Sequence, residues 1–128
     1  MSTKSVREVM RPLGTFPVVQ RNSSLKLALD LMTEHRLGLA CICDGGQLVA
    51  VLTDGDLRRL LLTRQSPLPA LLVSDAIEFA TPRPSSCSQE SSIKEVADLM
   101  HEKEIWDIPI VDSKNNLVGL VHLHDLSE

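Results

Sequence analysis

The stretch LKLALDLM, Leu25–Met32, returns as IKEVADLM, Ile93–Met100, sixty-eight residues further along the chain. Leu25, Ala28, Leu29 and Met32 reappear as Ile93, Val96, Ala97 and Met100. That i, i+3, i+4, i+7 spacing lays apolar groups along one face of a helix, so each copy carries a helix with a face to bury. The segments C-terminal to these helices repeat as well: Leu39-Ala-Cys-Ile-Cys-Asp44 answers Ile108-Pro-Ile-Val-Asp112, and Leu48-Val-Ala-Val-Leu52 answers Leu117-Val-Gly-Leu-Val121. These pairs read as short buried strands, parted by Gly45-Gly46 in one copy and Lys114-Asn115-Asn116 in the other. The offset grows to 69 across that turn, where an inserted residue is easily accepted.

Each copy then closes on a polar tetrad ending in an acid, Thr53-Asp-Gly-Asp56 and His122-Leu-His-Asp125. A strand that runs into a helix at such a tetrad sets free backbone N–H groups beside a carboxylate, so function is expected there. Working outward, Val6–Met10 reads as a leading turn and Phe16–Val19 as an extended segment, with Ser23 or Ser24 as the hydroxyl cap of the first helix. Strands are expected near 39–43 and 48–53 and a helix near 55–63, so one copy runs βαββα. Arg64–Pro69, with its two prolines, stops that helix and marks the junction, after which Val73–Ile77 mirrors Val6–Met10. The second main helix opens with Ser92-Ile-Lys-Glu95, a capping-box spacing. Its closing partner after Asp125 is expected to be nearly absent, the chain stopping at Glu128.

These readings predict a mixed α/β (α+β) fold of two tandem repeats, 1–66 and 67–128, related by a pseudo-twofold axis. One copy alone would bury only ~60% of its chain surface, so the copies are expected to pack together. The composition, 43% hydrophobic and 23% charged, is that of a soluble globular protein. No apolar run approaches the ~20 residues of a membrane helix, and the N-terminus has no apolar signal core, which predicts a cytoplasmic protein without a membrane partner. A net charge of −4 and 2% aromatic residues argue against nucleic-acid binding, which needs a basic face or interleaved aromatics. Cys41, Cys43 and Cys87 are odd in number, and Cys-x-Cys alone lacks the ligand count of a zinc site, so they are read as packed core thiols.

Two readings stand for Thr53-x-x-Asp56: a helix cap alone, or a cap that also serves a ligand. Arg58, nearer the helix start than Arg59, is the preferred phosphate contact, against a solvent-facing or carboxylate-paired role. His122 and His124 alternate by two and would share a face of a strand. With no third ligand in view, they are expected to hydrogen-bond to a ligand or neighbour rather than to bind a metal. His35 and His101 complement the dipoles at their helix ends. No nucleophile is visibly paired with a base, so no catalytic residue is expected.

With these motifs in place, the chain resembles the CBS-domain pair, or Bateman module, over nearly its whole length. The features that carry the likeness are the helix ending in Met, the h-Pro-h-h-Asp strand at Ile108–Asp112, and the Gly-h-x-Thr/Ser-x-x-Asp ending. Three positions depart from it: Ala50 stands at the first copy's usual glycine, Ala40 at its usual proline, and His122 at the second copy's Thr/Ser. The resemblance implies that Asp56 and Asp125 hold the ribose hydroxyls of a nucleotide and that Thr53 serves its phosphate or caps the helix. A narrower likeness lies in Leu52-Thr-Asp-Gly-Asp-Leu-Arg-Arg59 and Leu120-Val-His-Leu-His-Asp-Leu126. These look like the CBS pair at the C-terminus of bacterial arabinose-5-phosphate isomerases, which convert ribulose 5-phosphate to arabinose 5-phosphate for Kdo, a lipopolysaccharide sugar.

That likeness implies a regulatory module with AMP, ATP or CMP-Kdo as candidate ligands and no required cofactor. Thr53, Asp56, Arg58, His122, His124 and Asp125 are its candidate ligand-binding residues, and an attached or separate sugar isomerase domain its partner. The alternative is a ligand-free assembly module, a homodimer joined through apolar residues of the closing helices such as Leu57, Leu60 and Leu61.

Overall fold

The computed structural model describes residues 5–126. In chain order its elements are β1 (Arg11–Pro12), β2 (Val18–Gln20), α1 (Leu25–His35), β3 (Leu39–Asp44), β4 (Gln47–Thr53), α2 (Asp54–Thr63), α3 (Leu68–Val73), β5 (Thr81–Pro82), β6 (Cys87–Ser88), α4 (Ile93–Lys103), β7 (Asp107–Val111) and β8 (Leu117–His122). Short 3-10 turns occupy Val6–Glu8, Ala76–Phe79 and Leu123–Leu126. The fold is mixed α+β, with two four-stranded sheets ordered β2-β3-β4-β5 and β1-β8-β7-β6. Among the described residues no helix is long and apolar enough to cross a membrane.

The repeated helices form for the reasons their sequences give. Ser24 caps α1, its hydroxyl accepting from Leu27 N at 3.1 Å, while Ser23 is spent on the N–H of Gln20. Ser92 and Glu95 form the full capping box of α4. Both helices end alike, on Arg36 and Glu104 at a φ of 55°, with Leu37 N and Ile105 N returning to the carbonyls of Met32 and Met100. This left-handed end satisfies the last carbonyls at the cost of placing a side chain where glycine is favoured. Leu25, Ala28 and Met32 are buried on α1, and Val96 and Met100 on α4, each against its own sheet's strands.

Two compact units emerge, and they do not follow the 66/67 boundary between sequence repeats. One unit is continuous, Phe16–Pro84; the other joins the described residues of Met1–Thr15 to those of Ser85–Glu128. The reason is a reciprocal exchange of leading segments. β5, which opens the second repeat, pairs with β4, while β1, which opens the first, pairs with β8. The exchange is matched bond for bond: Val6 N donates to Ser91 O, and Ala76 N to Ser23 O. Equivalent residues in the leading segments are therefore 70 apart, Ser5 with Asp75 and Arg11 with Thr81. This corrects the expected match of Val73–Ile77 to Val6–Met10, since Val73 ends α3. That short helix begins inside the expected junction, because the prolines that stop α2, Pro67 and Pro69, are well placed at a helix start, where no N–H bond is lost.

Strand register brings a second correction. Cys41 faces Val51 as Pro109 faces Leu120, so Cys41, not Ala40, stands at the proline position. A match begun at Ile108 leaves out Asp107, the first residue of β7 and the counterpart of Leu39. Both hairpins carry a bulge at the same place, after Ile42 and after Ile110. Ala50 does occupy the glycine position, facing Ile42 as Gly119 faces Ile110. A Cβ on Gly119 would lie 2.6 Å from Met10 Sδ and 3.0 Å from Arg11 O, so the close approach of β1 demands a glycine there. At Ala50 the methyl is accommodated in the core.

Candidate functional site

In the continuous unit the site is the turn from β4 into α2. Thr53 is extended, which aims its hydroxyl back over the first turn to accept from Asp56 N at 3.2 Å. Asp56 Oδ2 accepts from Thr53 N at 3.0 Å and from the Thr53 hydroxyl at 3.1 Å. Its Oδ1 accepts from Arg59 Nη1 at 2.8 Å and from the Thr81 hydroxyl at 3.0 Å. A carboxylate offers about four lone-pair positions, so this acid, only 3% exposed, has every one in use. Arg59, one turn along the helix, rather than Arg58 reaches the acid; Arg58 is exposed. Thr81 arrives from the exchanged strand β5 and has no local signal in sequence.

In the discontinuous unit the equivalent turn follows β8. Asp125 Oδ2 accepts from His122 N at 2.9 Å and from Arg11 Nε at 2.8 Å, and its Oδ1 from Arg11 Nη2 at 3.1 Å. Arg11, on the exchanged strand β1, thus stands where Thr81 stands in the other unit and grips the carboxylate with two bonds. The His122 ring lies across the β7–β8 ladder from Asp107, with Nδ1 2.8 Å from Asp107 Oδ1. β8 ends at His122, so His124 belongs to the following 3-10 turn and not to the strand that its two-residue spacing suggests. The two rings nevertheless meet edge to face, 4.9 Å between centroids. Among the described residues no group of three or more His, Cys, Asp or Glu is arranged to hold a metal ion.

Charge and burial oppose each other here. Burial pushes the Asp125 carboxyl up, but the Arg11 bonds, the His122 N–H and the nearby positive charges outweigh it and leave the group below its ordinary value. The hydrogen bond to Asp125 in turn raises Arg11. Asp107 goes the other way: burial lifts it, and the hydrogen bond and charge of His122 and the charge of Arg11 offset only part of that. Burial also raises the thiols of Cys43 and Cys87, which keeps them protonated and inert. Leu60 lies in its unit's core and Leu57 packs against it, so of the apolar residues expected at an association face only Leu61 is freely exposed, beside Leu62.

The class of fold in hand is a tandem α+β pair, each repeat ending its last long strand on an acid-capped turn. The chain belongs to the CBS domain family, whose model matches residues 6–63 and 73–128, and is a CBS domain pair. It is 33% identical over 122 residues to an uncharacterized protein of Rickettsia prowazekii, covering 94% of this chain and 36% of that protein. It is 29% identical over 126 residues to arabinose 5-phosphate isomerase KdsD of Escherichia coli, again 94% of this chain and 36% of the relative. The chain therefore spans about a third of the length of these relatives. Among solved structures it resembles CBSX2 in complex with AMP, with a TM-score of 0.82 and 24% identity over 95% of this chain and 92% of that one.

Proposed function

We propose that this CBS pair is a cytoplasmic regulatory module that binds a nucleotide or nucleotide sugar and reports its occupancy to a sugar-phosphate isomerase of the arabinose 5-phosphate type, attached or separate. One observation carries the reading. Each closing acid has an arginine on it, Arg59 on Asp56 and Arg11 on Asp125. A carboxylate accepts from vicinal sugar hydroxyls and a guanidinium binds phosphate, so each turn offers the two groups a ribose phosphate requires side by side. The α2 N-terminus, opened by Thr53, favours an anion through its dipole, and His122 and His124 supply rings beside Asp125. Arg59 takes the role expected of Arg58.

The candidate ligands are AMP, ATP and CMP-Kdo. The AMP-bound CBSX2 is a precedent at the level of the fold, and the likeness to KdsD supports the isomerase and Kdo assignment. The regulatory effect on a partner can be no larger than the ligand's differential affinity for the two states it separates. A second reading, a ligand-free homodimer module, is favoured by the saturation of Asp56 with the chain's own bonds and by exposed Leu61 and Leu62.

Calorimetric titration with AMP, ATP, CMP and CMP-Kdo separates the two. The expected result is binding of one ligand class that weakens at least tenfold in Arg59→Ala or Arg11→Ala. No heat from any of them at millimolar concentration, together with a ligand-independent dimer in sedimentation, would replace this reading with the assembly module.

A further inference from the structure

The His122–Asp107 pair has no counterpart in the other unit, where the corresponding cross-strand pair is Thr53 with Leu39. The Asp107 side chain is 9% exposed and its carboxylate can, when ionised, only accept a hydrogen bond. With Asp107 ionised, the proton in the 2.8 Å contact sits on His122 Nδ1, which leaves Nε2 as the variable nitrogen. Nε2 is an acceptor in the neutral ring and a donor in the imidazolium, and it has no hydrogen-bond partner among the described residues. The charged groups around the ring are Asp107 from β7, Arg11 from β1, and His124 and Asp125 from the closing turn. On α4, which packs on that turn, Lys94 is paired with Asp98 and Glu95 with the backbone N–H of Ser92.

We propose that Asp107 is a positioning residue that fixes His122 as the Nδ1–H tautomer and makes its Nε2 a proton-gated donor to an anionic ligand at the Asp125 turn. The ligand half rests on the nucleotide-binding reading; the ring half rests on the Asp107 bond alone. Arg11, already committed to Asp125, supplies a constant positive charge, while His122 supplies one only when its ring is protonated. An anion is therefore held more tightly as the ring takes up its proton. The continuous unit, with Thr53 in place of the histidine, has no such dependence.

Long-range 1H–15N spectra of the whole chain test the ring directly. The neutral His122 ring is expected to carry its proton on Nδ1, and that preference to weaken in Asp107→Asn, which keeps an acceptor oxygen but loses the charge. An Nε2–H tautomer, or a tautomer balance unmoved by the substitution, would overturn the proposal. Titration with AMP should show several-fold tighter binding at pH ~6 than at pH ~8. That difference should shrink in Asp107→Asn, where the ring loses its charged partner, and vanish in His122→Thr, which installs the side chain found in the other unit. An identical pH profile in wild type and both variants would also overturn it. Should neither AMP nor CMP-Kdo bind at any pH, the nucleotide reading falls, and the tautomer still decides the role of Asp107.

Discussion

The carboxylate of Asp56 accepts four hydrogen bonds, two from Thr53 and one each from Thr81 and Arg59. That of Asp125, with a side chain 20% exposed, accepts three, and two of those come from Arg11. The two acids occupy the same place in the same repeated turn, and the exchanged strand delivers a neutral hydroxyl to one and a guanidinium to the other. A duplicated backbone thus carries two different kinds of acid: one locked as a cap by three neutral donors beside a single exposed guanidinium, the other held chiefly by charge. Where a ligand must displace an internal partner, the second is the more responsive to pH and salt, because its main bond is ionic.

The largest test of this contrast is truncation of the acids themselves. Asp56→Ala should cost about 3 kcal/mol in urea unfolding, since it removes a cap and strands the buried ends of its donors. Asp125→Ala should cost about half as much, because its surroundings are open enough for water to take over. Equal losses would break the comparison.

Next come the arginines. Arg11→Ala should destabilise by about 1–2 kcal/mol, as a half-buried two-bond contact is lost. Arg59→Ala should cost less than about 1 kcal/mol, its side chain being 68% exposed. Reversal of that order would place the important charge on the wrong unit.

Acid unfolding sharpens the same distinction. Asp125 is depressed in the folded chain, so its contribution is present above the ordinary carboxylate value and is lost as pH falls through the lower native one. Asp107 is raised, so it makes the opposite contribution: stability declines as pH rises from the ordinary value through the raised one. Urea midpoints followed from acid to neutral pH should show a shallower acid-side loss in Arg11→Ala and a smaller decline toward neutrality in Asp107→Asn.

The smallest effect probes where the units agree. Arg36→Gly and Glu104→Gly should each stabilise by less than about 1 kcal/mol, and by similar amounts, because both relieve the same left-handed helix end. Thermal midpoints that diverge would show that the equivalence of α1 and α4 does not extend to their ends.

Much of this is legible in sequence because it is local. The helix faces at Leu25–Met32 and Ile93–Met100 declare themselves by period, and Thr53 to Asp56 and Ser92 to Glu95 by the three-residue reach of a capping box. The partners of the acids are not legible. Arg11 lies 114 residues from Asp125 and Thr81 lies 25 from Asp56, and nothing in a run of sequence announces that two segments have changed places. α3 is hidden when proline is read as a stop, although proline stops only the helix that precedes it. Asp107 escapes a match that begins one residue later, and with it goes the partner that orients His122.

The reciprocal exchange of β1 and β5 also imposes an order on synthesis. Phe16–Pro84 is uninterrupted and holds all four strands of its sheet, so it can close as soon as it has left the ribosome. The other unit must wait: its first strand, β1, is made before Phe16–Pro84, and its partner β8 is the last of the eight strands to emerge. Until then Arg11 has no acid and Met10 no glycine to lean on, and the leading segment is an unpaired edge in search of a sheet. In a growing chain the continuous unit is the folded anchor and the proton-sensitive unit the late arrival, which makes the latter the point where assembly of the pair is decided.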